Sequence, residues 1–329
     1  MTSILITSQL LAAFFSIIGH SSEAEQPYYF DKLQIESAWK LSRGSADISV
    51  AVISTGVSHQ YFDTKNLKLN AGESGNGFET DGLDNDGNGY SDDVYGANTL
   101  SGNGDPNDLN GVGTHSASVI ASSGFGLAPN VKLVPVAVLN EQGAGSMEAV
   151  VKGLQYAASR EVNLIYLGLS GSGAKDHYEK ACEVLKNINI PVIAGAGNDA
   201  QDFDSSEREF YFPQDCDASN LFLVTSVDEN DKLSPWGNFG KGTIHAAAPG
   251  KTIWGISNNG RPTKKSGTSM AAAVATGVAA LVLSLHPEYS PEQLFQALTS
   301  SVDHSEELTE KTISGGRLNA HQALIAQVK

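Results

Sequence analysis

Cysteine, basic residues and long apolar runs are all scarce in this chain. Only two cysteines, Cys182 and Cys216, occur in 329 residues. They are too few to be a disulfide framework, and a chain of this length buries a full core without staples. A bridge between them is compatible with export, and two free thiols fit the sequence equally. Lysine and arginine total 21 against 37 acidic residues, a net charge of −16. That balance excludes a nucleic-acid-binding surface, which needs clustered cations on phosphates. The basic pair near a candidate site, Lys264-Lys265, is too small to line a groove. An acidic surface instead suits solubility outside the cell and weak retention of divalent cations. Internal repeats and low-complexity linkers are also missing, so residues 25–329 read as one domain. The apolar run Leu10 to Ile18 is too short to cross a bilayer. With Ser22-Glu23-Ala24 behind it, residues 1–24 read as a secretory signal, although no Lys or Arg precedes the run. The expected location is secreted or periplasmic, with no membrane span.

What is present is an alternation of short apolar runs with helical patterns. Residues 48–53, 132–139, 163–169, 191–196 and 221–227 read as buried parallel strands. Residues 114–122, 146–159 and 174–187 carry helical spacing between them. The alternation predicts an α/β fold: a doubly wound, mainly parallel sheet with helices on both faces, in a single domain. Met270 to Leu285 is apolar nearly all round and rich in alanine, which predicts a helix buried in the interior. Ser290-Pro291-Glu292-Gln293 predicts a further helix start, with a serine cap and proline at its first position.

The most specific segment is Ser266-Gly267-Thr268-Ser269-Met270-Ala271-Ala272. It resembles the nucleophile segment of the subtilisin-like serine peptidases (peptidase S8). Ala51 to Val57, Gly126 to Val131, Ile193 to Asn198, Trp236 to Gly240, Ala247 to Gly250 and Gly316 to Ala320 resemble later and earlier landmarks of the same family, in the same order. The resemblance spans nearly the whole mature chain and implies a parallel α/β sheet. It places Ser269 as the nucleophile and Asn198 in the oxyanion hole. It also places Ser54 where the family has its aspartate and Val112 where it has its histidine. The groove-wall segment, usually Asn-Met-Ser-Leu-Gly, here reads Tyr166-Leu167-Gly168-Leu169-Ser170, so Ser170 adds bulk where the family has glycine.

A serine hydroxyl attacks a carbonyl only when a base takes its proton. In subtilisin itself, the enzyme on which this loss has been measured, removing the histidine costs roughly 10⁶-fold in turnover. The paired loss has an electrostatic logic. An aspartate beneath Val112 would have no imidazole partner, and a desolvated unpaired charge costs several kcal/mol. Other bases are poor substitutes in sequence terms. His115 matches the family's second, structural histidine, His59 reads as a turn residue, and Lys264 and Lys265 read as a solvated loop. Ser269 also has a purely structural reading, as part of a tightly packed helix start.

A separate acidic segment runs from Asp81 to Asp93. Asp84, Asp86 and Asn88 alternate, glycine follows at Gly89, and Asp92 takes the ninth position, as at the start of an EF-hand-type loop. The twelfth-position glutamate is missing, since Tyr95 stands there, and Asp93 is the available substitute. The candidate Ca2+ ligands are therefore Asp84, Asp86, Asn88, Tyr90, Asp92 and Asp93, with a structural role. Taken together, the sequence predicts an exported subtilisin-fold pseudopeptidase that binds a peptide or protein along Gly168, Leu169 and Ser170. The alternatives are an active serine endopeptidase with a non-standard base and a purely structural or regulatory module.

Overall fold

Alternating residues of the central strands enter two different cores. The structure, a computed structural model, describes residues 26–328, so the signal-peptide reading of 1–24 lies outside the described residues. The chain opens with Tyr28–Lys32 (α1) and Ile35–Trp39 (α2), then enters the sheet at Ser49–Ser54 (β1). Ala97–Asn98 (β2), Val112–Ala121 (α3), Lys132–Ala137 (β3), Met147–Ser159 (α4) and Leu164–Leu167 (β4) follow. Gly171–Gly173 (β5), Glu179–Asn187 (α5), Val192–Gly195 (β6), Phe210–Phe212 (β7), Leu221–Val227 (β8) and Ala246–Pro249 (β9) continue the alternation. The last part comprises Ile253–Ile256 (β10), Pro262–Lys265 (β11), Thr268–Leu285 (α6), Pro291–Thr299 (α7), Asp303–His304 (β12), Gly316–Arg317 (β13) and Ala320–Leu324 (α8).

Among the described residues, nine strands form one sheet in the order β12-β13-β9-β8-β6-β4-β1-β3-β2. Every pairing in it is parallel except β12 with β13. In β1, Val50 and Val52 pack into the core shared with α3 and α6, while Ala51 and Ile53 pack into the one shared with α4 and α5. A strand has a side-chain period of two, so an uninterrupted apolar run is what a sheet covered on both faces requires. The α/β, doubly wound, single-domain expectation is met.

α6 is the axis of one layer. Among the described residues it is the one helix with the length and hydropathy of a membrane span, 18 residues at a mean of 1.8, and 83% of it is buried inside the protein. It starts two residues before the predicted Met270, so Thr268 and Ser269 form its first turn. Its opening lies hard against β6: a Cβ on Gly195 would come within 2.7 Å of the Thr268 carbonyl carbon. α7 begins as expected, with a reciprocal capping box between Ser290 and Gln293 and proline in the first turn.

Two local expectations change, and one point that the sequence leaves open is decided. α3 begins at Val112 rather than Thr114, because Asp108 organises its start. The buried Asp108 carboxylate accepts from the N–H groups of Asn110 (2.9 Å), Gly111 (2.8 Å) and Thr114 (2.9 Å), and from the Thr114 hydroxyl (2.7 Å). An anion is well placed there against the free N–H groups of a helix end. Lys264 and Lys265 lie on β11, paired antiparallel with β10, and not in a loop. Cys182 in α5 and Cys216 after β7 are joined as a disulfide.

Candidate active site and acidic loop

The C-terminal ends of β1, β4 and β6 meet the N-terminal ends of α3 and α6, the edge where parallel α/β sheets place their ligands. Ser54 ends β1, and Val112 opens α3 behind Gly111. The two are locked in register, since Gly113 N–H donates to Thr55 Oγ1 at 3.0 Å and Ser58 N–H to Thr114 Oγ1 at 3.0 Å. Ser54 is fully buried, and its hydroxyl points at the Gly168 carbonyl 3.5 Å away, too far for a strong bond.

Ser269 is held from beneath by Tyr166. The buried phenol donates to the Ser269 carbonyl at 3.2 Å and meets the Ser116 hydroxyl at 2.9 Å, joining β4, α6 and α3. Burial pushes the Tyr166 phenol up to about 12, so it stays a donor. Tyr166 belongs to the altered groove-wall segment, and its ring fills the space under Gly168, where a Cβ would come within 2.5 Å of it. Asn198 Oδ1 accepts from Thr268 N–H at 2.9 Å and from its hydroxyl at 3.2 Å. The oxygen is thereby fixed on α6, and the amide nitrogen is left on the exposed side. Neither that nitrogen nor the Ser269 N–H has a hydrogen-bond partner among the described residues. Two unpaired donors beside a helix N-terminus form a place for a carbonyl oxygen or another anion.

The alternative bases are engaged elsewhere. His115 sits in the interior with Nε2 3.0 Å from the Ile253 carbonyl, to which it donates. Burial lowers its pKa to about 4. Lys264 lies over the Trp254 ring, with its ammonium 4.5 Å from the centroid. His59 lies in a single helical turn with its ring 5.9 Å from that of Tyr95. Among the described residues no imidazole, amine or carboxylate hydrogen-bonds Ser269; the Tyr166 phenol, kept protonated by burial, is the side chain beneath it.

The groove wall runs outward from buried Gly168 through half-buried Leu169 to exposed Ser170. Gly168 N–H still bonds Ile53 O at 2.8 Å, whereas the backbone groups of Leu169 and Ser170 have no backbone partner among the described residues. This is an unpaired edge.

The acidic loop gathers only part of the predicted ligand set. Carboxylate oxygens of Glu73, Asp84 and Asp86 lie within 4.8 Å of one another. Glu73, fully buried and not anticipated from the sequence, receives N–H groups from Asn85 (2.6 Å), Asp86 (3.1 Å) and Asp92 (3.1 Å). Asn88 lies alongside, donating its N–H to Asp84 at 3.1 Å and to Asp86 at 3.0 Å. The other predicted ligands are placed differently. Asp93 turns inward, where it accepts from Asn70 (2.9 Å), Asn88 (3.1 Å) and the Tyr156 hydroxyl and stands 3.6 Å from Arg160. Tyr90 packs edge-on against Tyr156 at 5.3 Å, and Asp92 accepts the Gly82 N–H at 3.1 Å. Three hard carboxylates at that separation match the donor chemistry of Ca2+.

Comparison with known proteins converges on one family. The subtilase family model (peptidase S8) matches residues 45–317. Thermitase of Thermoactinomyces vulgaris is 29% identical over 314 residues, covering 92% of this chain and 96% of the relative. Subtilisin DY of Bacillus licheniformis is 26% identical over 280 residues, covering 84% and 90%. The crystal structure of a cold adapted subtilisin-like serine proteinase superposes with a TM-score of 0.64 at 25% identity, covering 83% of this chain and 89% of that one. Order of motifs, sheet topology and relatives agree: the chain belongs to the subtilase family.

Proposed function

We propose that the protein is an exported subtilisin-fold pseudopeptidase that holds an extended peptide or protein segment without efficient cleavage. The observation that carries this reading is the composition of the site. Ser269 and Asn198 offer unpaired donors, while Ser54 and Val112 stand where a base and its partner would be needed. Polarising a carbonyl does not require a base, but moving the hydroxyl proton does. The ligand is held by backbone pairing along Leu169 and Ser170, whose open edge suits an added strand. Export is supported by the Cys182–Cys216 bridge, since such bonds persist in oxidising surroundings. A Ca2+ ion bound by Glu73, Asp84 and Asp86 is part of the same proposal, and its role is to fix the loop.

The decisive test is labelling of purified mature protein by a fluorophosphonate probe, alongside a casein digest. The expected result is no labelling of Ser269 and no digestion. Rapid labelling at Ser269 with digestion would establish instead an endopeptidase with an unconventional base.

A further inference from the structure

Tyr166 and Gly168 stand where the family's groove-wall segment has asparagine and serine, and the structure ties the two changes together. Tyr166 is among the largest fully buried side chains, and its strand neighbours Val52 and Ile193 face the same core. From that core its ring extends beneath Gly168. A Cβ on Gly168 would lie 2.5 Å from the ring and 2.7 Å from the phenol oxygen, so a serine there and the tyrosine could not coexist without displacement. The missing side chain at 168 is what admits the phenol to the centre of the site.

The phenol oxygen then joins three elements. It lies 2.9 Å from the Ser116 hydroxyl and donates to the Ser269 carbonyl at 3.2 Å, and the Ser269 side chain faces it as well. Ser116 lies one turn after Val112, on the same face of α3. The phenol therefore bridges the helix face that carries position 112 to the first turn of α6, which carries Ser269. It is no base itself, because burial keeps it protonated. A serine that attacks must leave its resting contacts, give up its proton and close on the reacting atom. We propose that Tyr166 is a positioning residue that locks Ser269, tying it to β4 and α3 so that it stays unreactive even when an imidazole and a carboxylate are put back at positions 112 and 54. This lock is additional to the missing base, and it rests on the reading of the site as one that binds without cleaving.

The rate of fluorophosphonate labelling of the full mature chain tests it. That reaction bonds Ser269 Oγ to phosphorus, expels fluoride and needs a base for the hydroxyl proton. Wild type is compared with Ser54→Asp/Val112→His, and with that pair combined with Tyr166→Asn and Gly168→Ser, the residues of the family pattern. Wild type and the pair are expected to label at the same slow rate, and the four-site variant at least a hundredfold faster. Loss of a merely structural tyrosine would not raise reactivity. If the pair labels within tenfold of the four-site variant while wild type stays unlabelled, the lock is overturned and the binding reading stands. Rapid labelling of wild type removes both. If neither variant labels although each unfolds in one cooperative thermal transition, the lock is likewise overturned. Where a restored variant does not fold, Tyr166→Phe in imidazole buffer decides, because only the hydroxyl is lost and the base comes from solution. Labelling at least tenfold faster than wild type in the same buffer supports the lock, and an equal rate overturns it.

Discussion

Ser54 is the residue at which the chemistry of this site is best tested by stability. Its hydroxyl is fully buried and faces a carbonyl oxygen. A carboxylate at this position would lie in low dielectric, next to that oxygen, with Val112 offering no donor. Ser54→Asp alone is therefore expected to destabilise the protein by about 3–5 kcal/mol at neutral pH, the usual cost of an uncompensated buried charge. Ser54→Asp with Val112→His should recover at least ~1 kcal/mol of that loss, because neighbours within one hydrogen-bonded unit are not additive. Urea unfolding of the two single variants and the double variant measures the coupling, and zero coupling would separate the two positions. Both positions are legible in the sequence because their flanking residues form recognisable frames. Glu73 is not, since it precedes the acidic loop with no spacing rule to link the two.

At the scale of elements, boundaries are less legible than the elements themselves. In sequence the helical spacing is read from Thr114, yet buried Asp108 gathers the free N–H groups and starts the helix at Val112. β11 reads as a loop because its residues alternate only between exposed and half-buried, leaving no apolar signal. The acidic loop is legible as a loop but not in its ligands, since Asp93 serves the Arg160–Tyr156 network in the interior. Its proposed ion gives a measurable consequence. A ligand bound only to the folded chain adds about 2.7 kcal/mol when present at a hundred times its Kd. Calorimetry should therefore show Tm several degrees higher in millimolar Ca2+ than in excess EGTA, with Asp84→Asn flattening the difference. A Tm indifferent to calcium would remove the ion from the proposal.

For the whole molecule, the sheet is legible because both faces of each central strand are apolar, which a doubly covered sheet alone requires. The disulfide is not, because two cysteines carry no pattern until α5 and the turn after β7 are packed together. Neither pattern reveals how stability depends on pH, to which two desolvated imidazoles contribute, buried His115 and half-buried His245. His115 donates to the Ile253 carbonyl, and His245 Nδ1 accepts the Leu223 N–H at 3.0 Å. Burial lowers both to about 4, and neutral His245 is the form that can accept that bond. An unfolded histidine titrates near 6.5, so between that pH and about 4 the unfolded chain takes up protons that the folded chain refuses. The contribution of these groups is thus complete above about 6.5 and is lost as pH falls toward 4. At about 1.4 kcal/mol per unit of displacement, each group accounts for roughly 3 kcal/mol across that window. Urea unfolding at pH 7.5 and pH 4.5 should show this loss. In His245→Gln, whose amide oxygen can accept the same N–H without titrating, the pH dependence should be less steep. An unchanged slope in that variant would assign the pH dependence to other groups.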